Sequence, residues 1–155
     1  MSGARWVSAA VLPGWRFTHS GLTVTLFAGP VVQDYRLTPN DPGSHLRGFY
    51  VGAQFAAELW YQPSPATMAT LSGAIASIGP TGSLRTAVGF RFFDAVFIGP
   101  EAAQLWCGNY EEVQFGAHVT SLRIDALQWS AAGGWAITSD HRSGPYLRVG
   151  VNARL

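Results

Sequence analysis

Lysine is absent from this chain, and all ten of its basic residues are arginine. Only 12% of its 155 residues are charged, about half the usual share of a soluble domain. The formal net charge is +1, which supplies no basic stripe for a nucleic-acid partner. A soluble surface of this size normally carries more charge, so apolar positions are expected to face something other than a core. One cysteine, Cys107, excludes an internal disulfide framework and any Cys-x-x-Cys metal or redox pair. It reads as an inert, half-buried thiol. No apolar run reaches the ~18 residues of a membrane helix. No linker or low-complexity tract divides the chain, and its length fits one domain, 1–155.

Glycine and aromatics are plentiful: Gly 18, Phe 9, Trp 6 and Tyr 5. The dominant pattern is period-two alternation, the mark of strands with two unlike faces. In LTVTLFAG, Leu22, Val24, Leu26 and Ala28 alternate with Thr23, Thr25, Phe27 and Gly29. In FYVGAQFAAELWY, Phe49, Val51, Ala53, Phe55, Ala57, Leu59 and Tyr61 oppose Tyr50, Gly52, Gln54, Ala56, Glu58 and Trp60. In SLRTAVGFRFF, Leu84, Val88, Phe90 and Phe92 oppose Arg85, Gly89 and Arg91. In EEVQFGAHVTSL, Val113, Phe115, Ala117 and Val119 oppose Glu112, Gln114, Gly116, His118 and Thr120. In PYLRVGVNARL, Leu147, Val149, Val151, Ala153 and Leu155 oppose Tyr146, Arg148, Gly150, Asn152 and Arg154.

This rhythm predicts an all-β fold of nine antiparallel strands, at 6–17, 21–33, 48–61, 66–77, 83–93, 95–105, 111–122, 125–137 and 145–155. Most are about twice the usual soluble strand and long enough to cross a bilayer at a tilt. The N-terminal MSGARWVSAAVLPGW has an apolar stretch, Trp6 to Leu12, at the lower limit for a signal peptide. It runs straight into strand-like sequence and is read as the first strand.

The predicted connections alternate. Tight turns fall at Thr18–Ser20, Gln62–Pro65, Asp94 and Arg123–Ile124. Longer loops fall at Asp34–Arg47, Trp106–Tyr110 and Thr138–Gly144, and Ile78–Gly82 is intermediate. Short turns at one end and longer loops at the other describe an up-and-down β-barrel of outer-membrane type. Aromatics gather near strand ends, at Trp15, Phe17, Trp60, Tyr61, Phe92, Phe93, Trp106, Trp135 and Tyr146, as membrane-interface girdles do. Bacterial barrels close with an even number of strands. Nine therefore point to part of a larger barrel, with upstream strands and a signal peptide lacking through truncation or a mis-assigned start.

The segment QDYRLTPNDPGSHLRGFYVGAQFAAELWYQP resembles the cellulose biosynthesis protein BcsS family. So do GLTVTLFAG, the FIGPE…GNY…FGAHVTSLRI segment and the closing GPYLRVGV. The resemblance covers roughly residues 10–155. It implies an outer-membrane-like barrel encoded with bacterial cellulose synthesis, with members longer at the N-terminus. It brings no catalytic residues.

The acids and histidines are the residues that could carry chemistry. Glu101, Glu111 and Glu112 invite a paired-carboxylate glycosidase reading. Adjacent Glu111 and Glu112 point to opposite faces of a strand, however, and cannot clasp one sugar. The side taken by Glu101 depends on a bulge expected at Gly99–Pro100. Cys107 is expected in the loop. His118 with Thr120, Ser121 and Glu112 suggests acyl transfer, but alternation puts Ser121 opposite His118, and no nucleophile elbow is present. His19, His45 and His141 lie in separate turns, so neither a metal site nor a cofactor is expected.

The polar faces read better together: Gln54, Glu58, Arg85, Arg91, Glu112, Gln114, His118, Gln128, Arg148, Asn152 and Arg154 would line a barrel interior. Arg–Glu pairing across strands would offset their burial. About twelve strands would leave either a narrow pore or a plugged lumen. The Asp34–Arg47 loop, with Asn40, Asp41, Pro42 and Gly43, is read as a solvated turn, with contact to polysaccharide as the alternative. Pro13, Pro30 and Pro100 interrupt strand-like segments and mark edges or bulges.

The expected function is a non-enzymatic accessory barrel of the bacterial outer membrane, a scaffold, anchor or narrow conduit in cellulose secretion. Its expected partners are outer-membrane lipid, a glucan chain and other cellulose-synthesis proteins. Two alternatives stand beside it: an outer-membrane enzyme acting on lipid or glycan, and a soluble lipocalin-like binding barrel with its apolar face inward.

Overall fold

A computed structural model describes residues 3–38, 48–79, 81–93, 96–124 and 127–153. Every regular element among them is a β-strand: β1 (Gly3–Ala10), β2 (Gly14–His19), β3 (Leu22–Thr38), β4 (Gly48–Ser64), β5 (Thr67–Ala76), β6 (Thr81–Phe92), β7 (Val96–Cys107), β8 (Tyr110–Ile124), β9 (Leu127–Thr138) and β10 (Ser143–Ala153). They form one antiparallel meander in which consecutive strands pair from β3 to β10. Both β1 and β2 pair with β3, so these ten segments fill the nine strand positions expected from the alternation.

The break between β1 and β2 lies at Val11–Pro13. Proline has no N–H for the ladder, and two prolines fall here, one on each strand of the pair and two positions apart in register. Pro30 accepts from Val11 N at 3.1 Å, and Pro13 accepts from Ala28 N at 3.2 Å. Gly29 between them allows the opposite strand to come close, since a Cβ there would lie 2.1 Å from the Val11 carbonyl. The second Gly-Pro repeats this arrangement. β6 and β7 pair at Ala87–Glu101 and again at Phe90–Ile98 without a change of register. The ladder therefore opens at Gly99–Pro100 but inserts no residue, which corrects the bulge expected there. The register shifts sit elsewhere, between Tyr61 and Ser64 and between Val119 and Leu122.

Several boundaries also differ from expectation. β3 runs on to Thr38, so the first residues of the expected 34–47 loop are strand. The rest of that loop, with Asn40, Asp41, Pro42, Gly43 and His45, lies outside the described residues, as does Asp94. Trp106–Tyr110 is not a longer loop: only Gly108 and Asn109 separate β7 from β8. Gly108 takes a φ of 61°, which a two-residue hairpin turn of this hand requires. Cys107 ends β7 instead of lying in a loop, half-buried with the Thr81 hydroxyl 3.7 Å from its sulfur. At the tight end, Ser20 and Gly21, at φ 45° and 81°, turn β2 into β3, whereas Arg123 and Ile124, expected as a turn, belong to β8 and pair with Gln128 and Leu127.

The sheet is curled, and its two faces have opposite chemistry. Trp60 on β4 meets Phe97 on β7 with ring centroids 5.9 Å apart. Three strand steps in a flat sheet would separate them by about 14 Å. The convex face carries large apolar side chains in the open: Val51 68%, Phe55 57%, Leu71 44%, Phe115 56%, Leu147 80% and Val149 59% exposed. The concave face buries Glu101, His118, Gln33 and Thr25 together with Val31, Met68 and Phe97. Strand alternation alone produces this separation, because neighbouring strands pair in register. At one end of the concave face the β5–β6 turn folds inward, so that Ile78 lies over Gly52. Among the described residues, β1 and β10 are not paired with each other.

Candidate functional site

The concave face centres on Glu101. Its position follows from β7 pairing: Glu101 lies opposite Ala87 on β6 and Gly116 on β8. Gly116 in turn faces Gly134 on β9, and Gly134 faces Tyr146 on β10. This row of small residues clears a channel across the sheet. Along it the Tyr146 hydroxyl donates to Glu101 Oε1 at 3.3 Å. A Cβ on Gly116 would stand 2.6 Å from the Tyr146 hydroxyl, so glycine there is a condition of the contact.

Two arginines flank the carboxylate. Arg148 Nη2 donates to Glu101 Oε2 at 2.5 Å. Arg85 Nε lies 3.9 Å from Glu101 Oε1. The Glu101 side chain is only 2% exposed, against 29% for Arg85 and 32% for Arg148. A buried carboxylate needs such partners, since an unpaired ion there costs several kcal/mol. His118 is buried beside the pair, in register with Gly99 and Ala132. Its ring lies against the Gly99–Pro100 backbone, and Nε of Arg85 and of Arg148 has no hydrogen-bond partner among the described residues. The cluster thus holds two cations against one anion and has donors to spare.

The other expected lumen residues that the structure describes share this face without joining the cluster. Gln54 is half-buried opposite Gly29 and Ala76. Glu58 faces Thr25 and Ser72 and stays exposed. Arg91 lies 5.6 Å from the Phe97 ring centroid. Glu112 accepts from the Tyr110 hydroxyl at 2.6 Å and from Gln114 Nε2 at 2.7 Å. Gln128 donates to Ser121 Oγ at 3.1 Å. Asn152 lies opposite Gln128 in the backbone register; its side chain and all of Arg154 lie outside what the structure describes.

Ser121 departs from expectation. The register shift after Val119 gives it a φ of 67°, and its hydroxyl meets Gln128, which shares the face of Ala132 and so of His118. One inserted residue reverses the alternation downstream. Trp60 and Tyr146 also belong to the concave face, not to the outer aromatic girdle. Phe92 and Phe93 remain exposed at the tight-turn rim, and Trp135 on the convex face.

Glu101 and Tyr146 are the two central residues that fall outside the expected lumen set. Tyr146 was legible, since it alternates in phase with Arg148. Glu101 was hidden by the expected bulge. Once the register is seen to be unshifted, its phase with Ala103 and Phe97 puts it inside.

The arrangement lends no support to a carboxylate pair. Glu112 and Gly116, the strand partner of Glu101, are four residues apart, about 13 Å along a strand. The two acids also have separate partners. Among the described residues no group of three or more His, Cys, Asp or Glu converges as a metal site.

Fold and site define a class: an up-and-down antiparallel sheet of barrel-wall type, apolar outside and charged within. The chain belongs to the cellulose biosynthesis protein BcsS family, whose model matches residues 3–155. That membership gives it a role in bacterial cellulose biosynthesis. Comparison with curated proteins and with solved structures returns no match.

Proposed function

We propose that this protein is a non-enzymatic outer-membrane barrel of the cellulose system, acting as a single domain that serves as a scaffold or narrow conduit for secretion. One observation carries the reading: the inverted polarity of the sheet. Leu147 at 80% and Phe55 at 57% exposure stand on the face opposite a carboxylate with 2% side-chain exposure. In water this is the wrong way round, since contiguous exposed apolar area marks a surface made for another apolar phase. In a bilayer it is the arrangement that barrels need. A lipocalin-like barrel would require the reverse, with its apolar face inward.

In this reading the concave residues line the lumen. Glu101, Arg85, Arg148 and Tyr146 cross-brace its wall and narrow it, while the convex face meets lipid. The tight turns lie on the periplasmic side. The test is folding. Refolding into detergent micelles or lipid vesicles should yield a β-rich species whose gel mobility changes on heating. A stable soluble monomer in plain buffer overturns the proposal. In the cell, deleting the gene should reduce cellulose export while synthase activity in membranes persists.

A further inference from the structure

We propose that the tight-turn end of the concave face carries a saccharide subsite, where a short stretch of neutral β-linked glucan stacks against Trp60. This deepens the conduit reading and rests on it for the direction from which the glucan arrives.

The place is an open depression of about 440 Å³ lined by Gly21, Thr23, Trp60, Gln62, Ser64 and Arg91, with prolines at its rim. Thr23 and Trp60 lie directly opposite in the β3–β4 register and form its floor. Trp60 does not share the outward face of its neighbour Tyr61. Its indole and the Phe97 ring meet in a T-shaped contact, at 5.9 Å and an interplanar angle of 80°. Phe97 is itself only 4% exposed, so the platform is anchored from below.

The wall is the register shift between Tyr61 and Ser64, a device that commonly re-aims side chains next to functional sites. Its backbone is pinned at several points. Gln62 N donates to Gly21 O at 2.9 Å, and Arg91 N donates to Ala66 O at 2.8 Å. Ser64 and Thr67 join hydroxyls at 2.8 Å. A site held this way loses little freedom on binding.

The chemistry matches one ligand class. A β-1,4-linked glucan has equatorial substituents, so its ring faces present only C–H groups and its edges present hydroxyls. An indole accepts such a face. Gln62, Thr23 and Arg91 offer both donors and acceptors to the hydroxyl rim. Among the described residues that line the depression there is no carboxylate, and the cation among them, Arg91, leans on the Phe97 ring, which suits a neutral sugar.

The test is isothermal titration of the full chain, refolded in detergent micelles, with cellotetraose. Saturable binding is expected, at least tenfold weaker in Trp60→Ala and intermediate in Trp60→Phe. Trp135→Ala, on the convex face, should bind as wild type. Maltotetraose, with α-linkages, should bind at least tenfold more weakly. Unchanged affinity in Trp60→Ala, or equal binding of both sugars, overturns the proposal. Folding in micelles without cellotetraose binding removes the subsite and leaves the barrel reading intact. Binding by a soluble monomer in buffer removes the barrel reading and leaves the subsite.

Discussion

Arg148 on β10 reaches Glu101 on β7 across two intervening strands, with Nη2 and Oε2 2.5 Å apart. The contact ties the last strand to the middle of the sheet. Removing the carboxylate strands two guanidinium groups on the concave face. Breaking a buried pair costs about 3–5 kcal/mol; with both arginines partly exposed, Glu101→Gln should cost about 2–3 kcal/mol. Urea titration of the refolded protein measures this. A double-mutant cycle with Arg148→Met should show at least about 1 kcal/mol of coupling, and simple additivity would refute the bridge.

The glycine channel makes a sharper claim. Gly116→Ala would set a Cβ 2.2 Å from the Gly133 carbonyl and 2.6 Å from the Tyr146 hydroxyl. It should displace Tyr146 and destabilise by about 1–3 kcal/mol. Gly144→Ala meets nothing within 4 Å, and should change stability by less than about 0.5 kcal/mol. Equal effects from the two would show that the channel is not occupied as described.

On the convex face, arginine substitution separates membrane from water. Leu71→Arg and Phe115→Arg, near mid-strand, should cost about 2–4 kcal/mol of folding free energy in vesicles. Phe93→Arg, at the rim and 80% exposed, should cost about 0–1 kcal/mol. Were the sheet water-exposed on this side, all three would be nearly neutral.

The turn between β9 and β10 has its own pH signature. The Thr138 hydroxyl donates to Asp140, and Arg142 lies 3.0 Å from the same carboxylate. Thr138's hydrogen bond, then Arg142's charge, hold the Asp140 carboxyl below its ordinary value. Its protonation is therefore harder in the folded turn than in the unfolded chain. The contribution is fully present above the ordinary carboxylate pKa, ~3.9, and is lost as pH falls through the lower folded value. Carbon-detected NMR titration should place the Asp140 midpoint below that of a free aspartate. In Thr138→Val the midpoint should move back up.

Much of the fold was legible because alternation is a local property. Which residues share a face in β3, β4, β6 and β10 follows from counting by two, and the structure keeps those faces. Turn chemistry was less legible. Gly108–Asn109 closes a hairpin in two residues where WCGNY suggested a longer loop, because a positive-φ glycine shortens the path. Pro30 and Pro100 are legible as irregular positions, but the form of the irregularity is not. A proline removes a hydrogen bond, and a ladder can open at that point without slipping.

The sequence by itself determined the alternating faces, the scarcity of charge and the family. These depend on residue order alone. Only the tertiary structure decided which polar residues meet. Glu101, Arg85, Arg148 and Tyr146 come from three strands and converge because the registers of β6 to β10 hold and two glycines clear the space between. It also decided that Trp60 looks inward over a depression while Tyr61 looks out. Register and curl arise from pairing between distant segments, and no local pattern carries them.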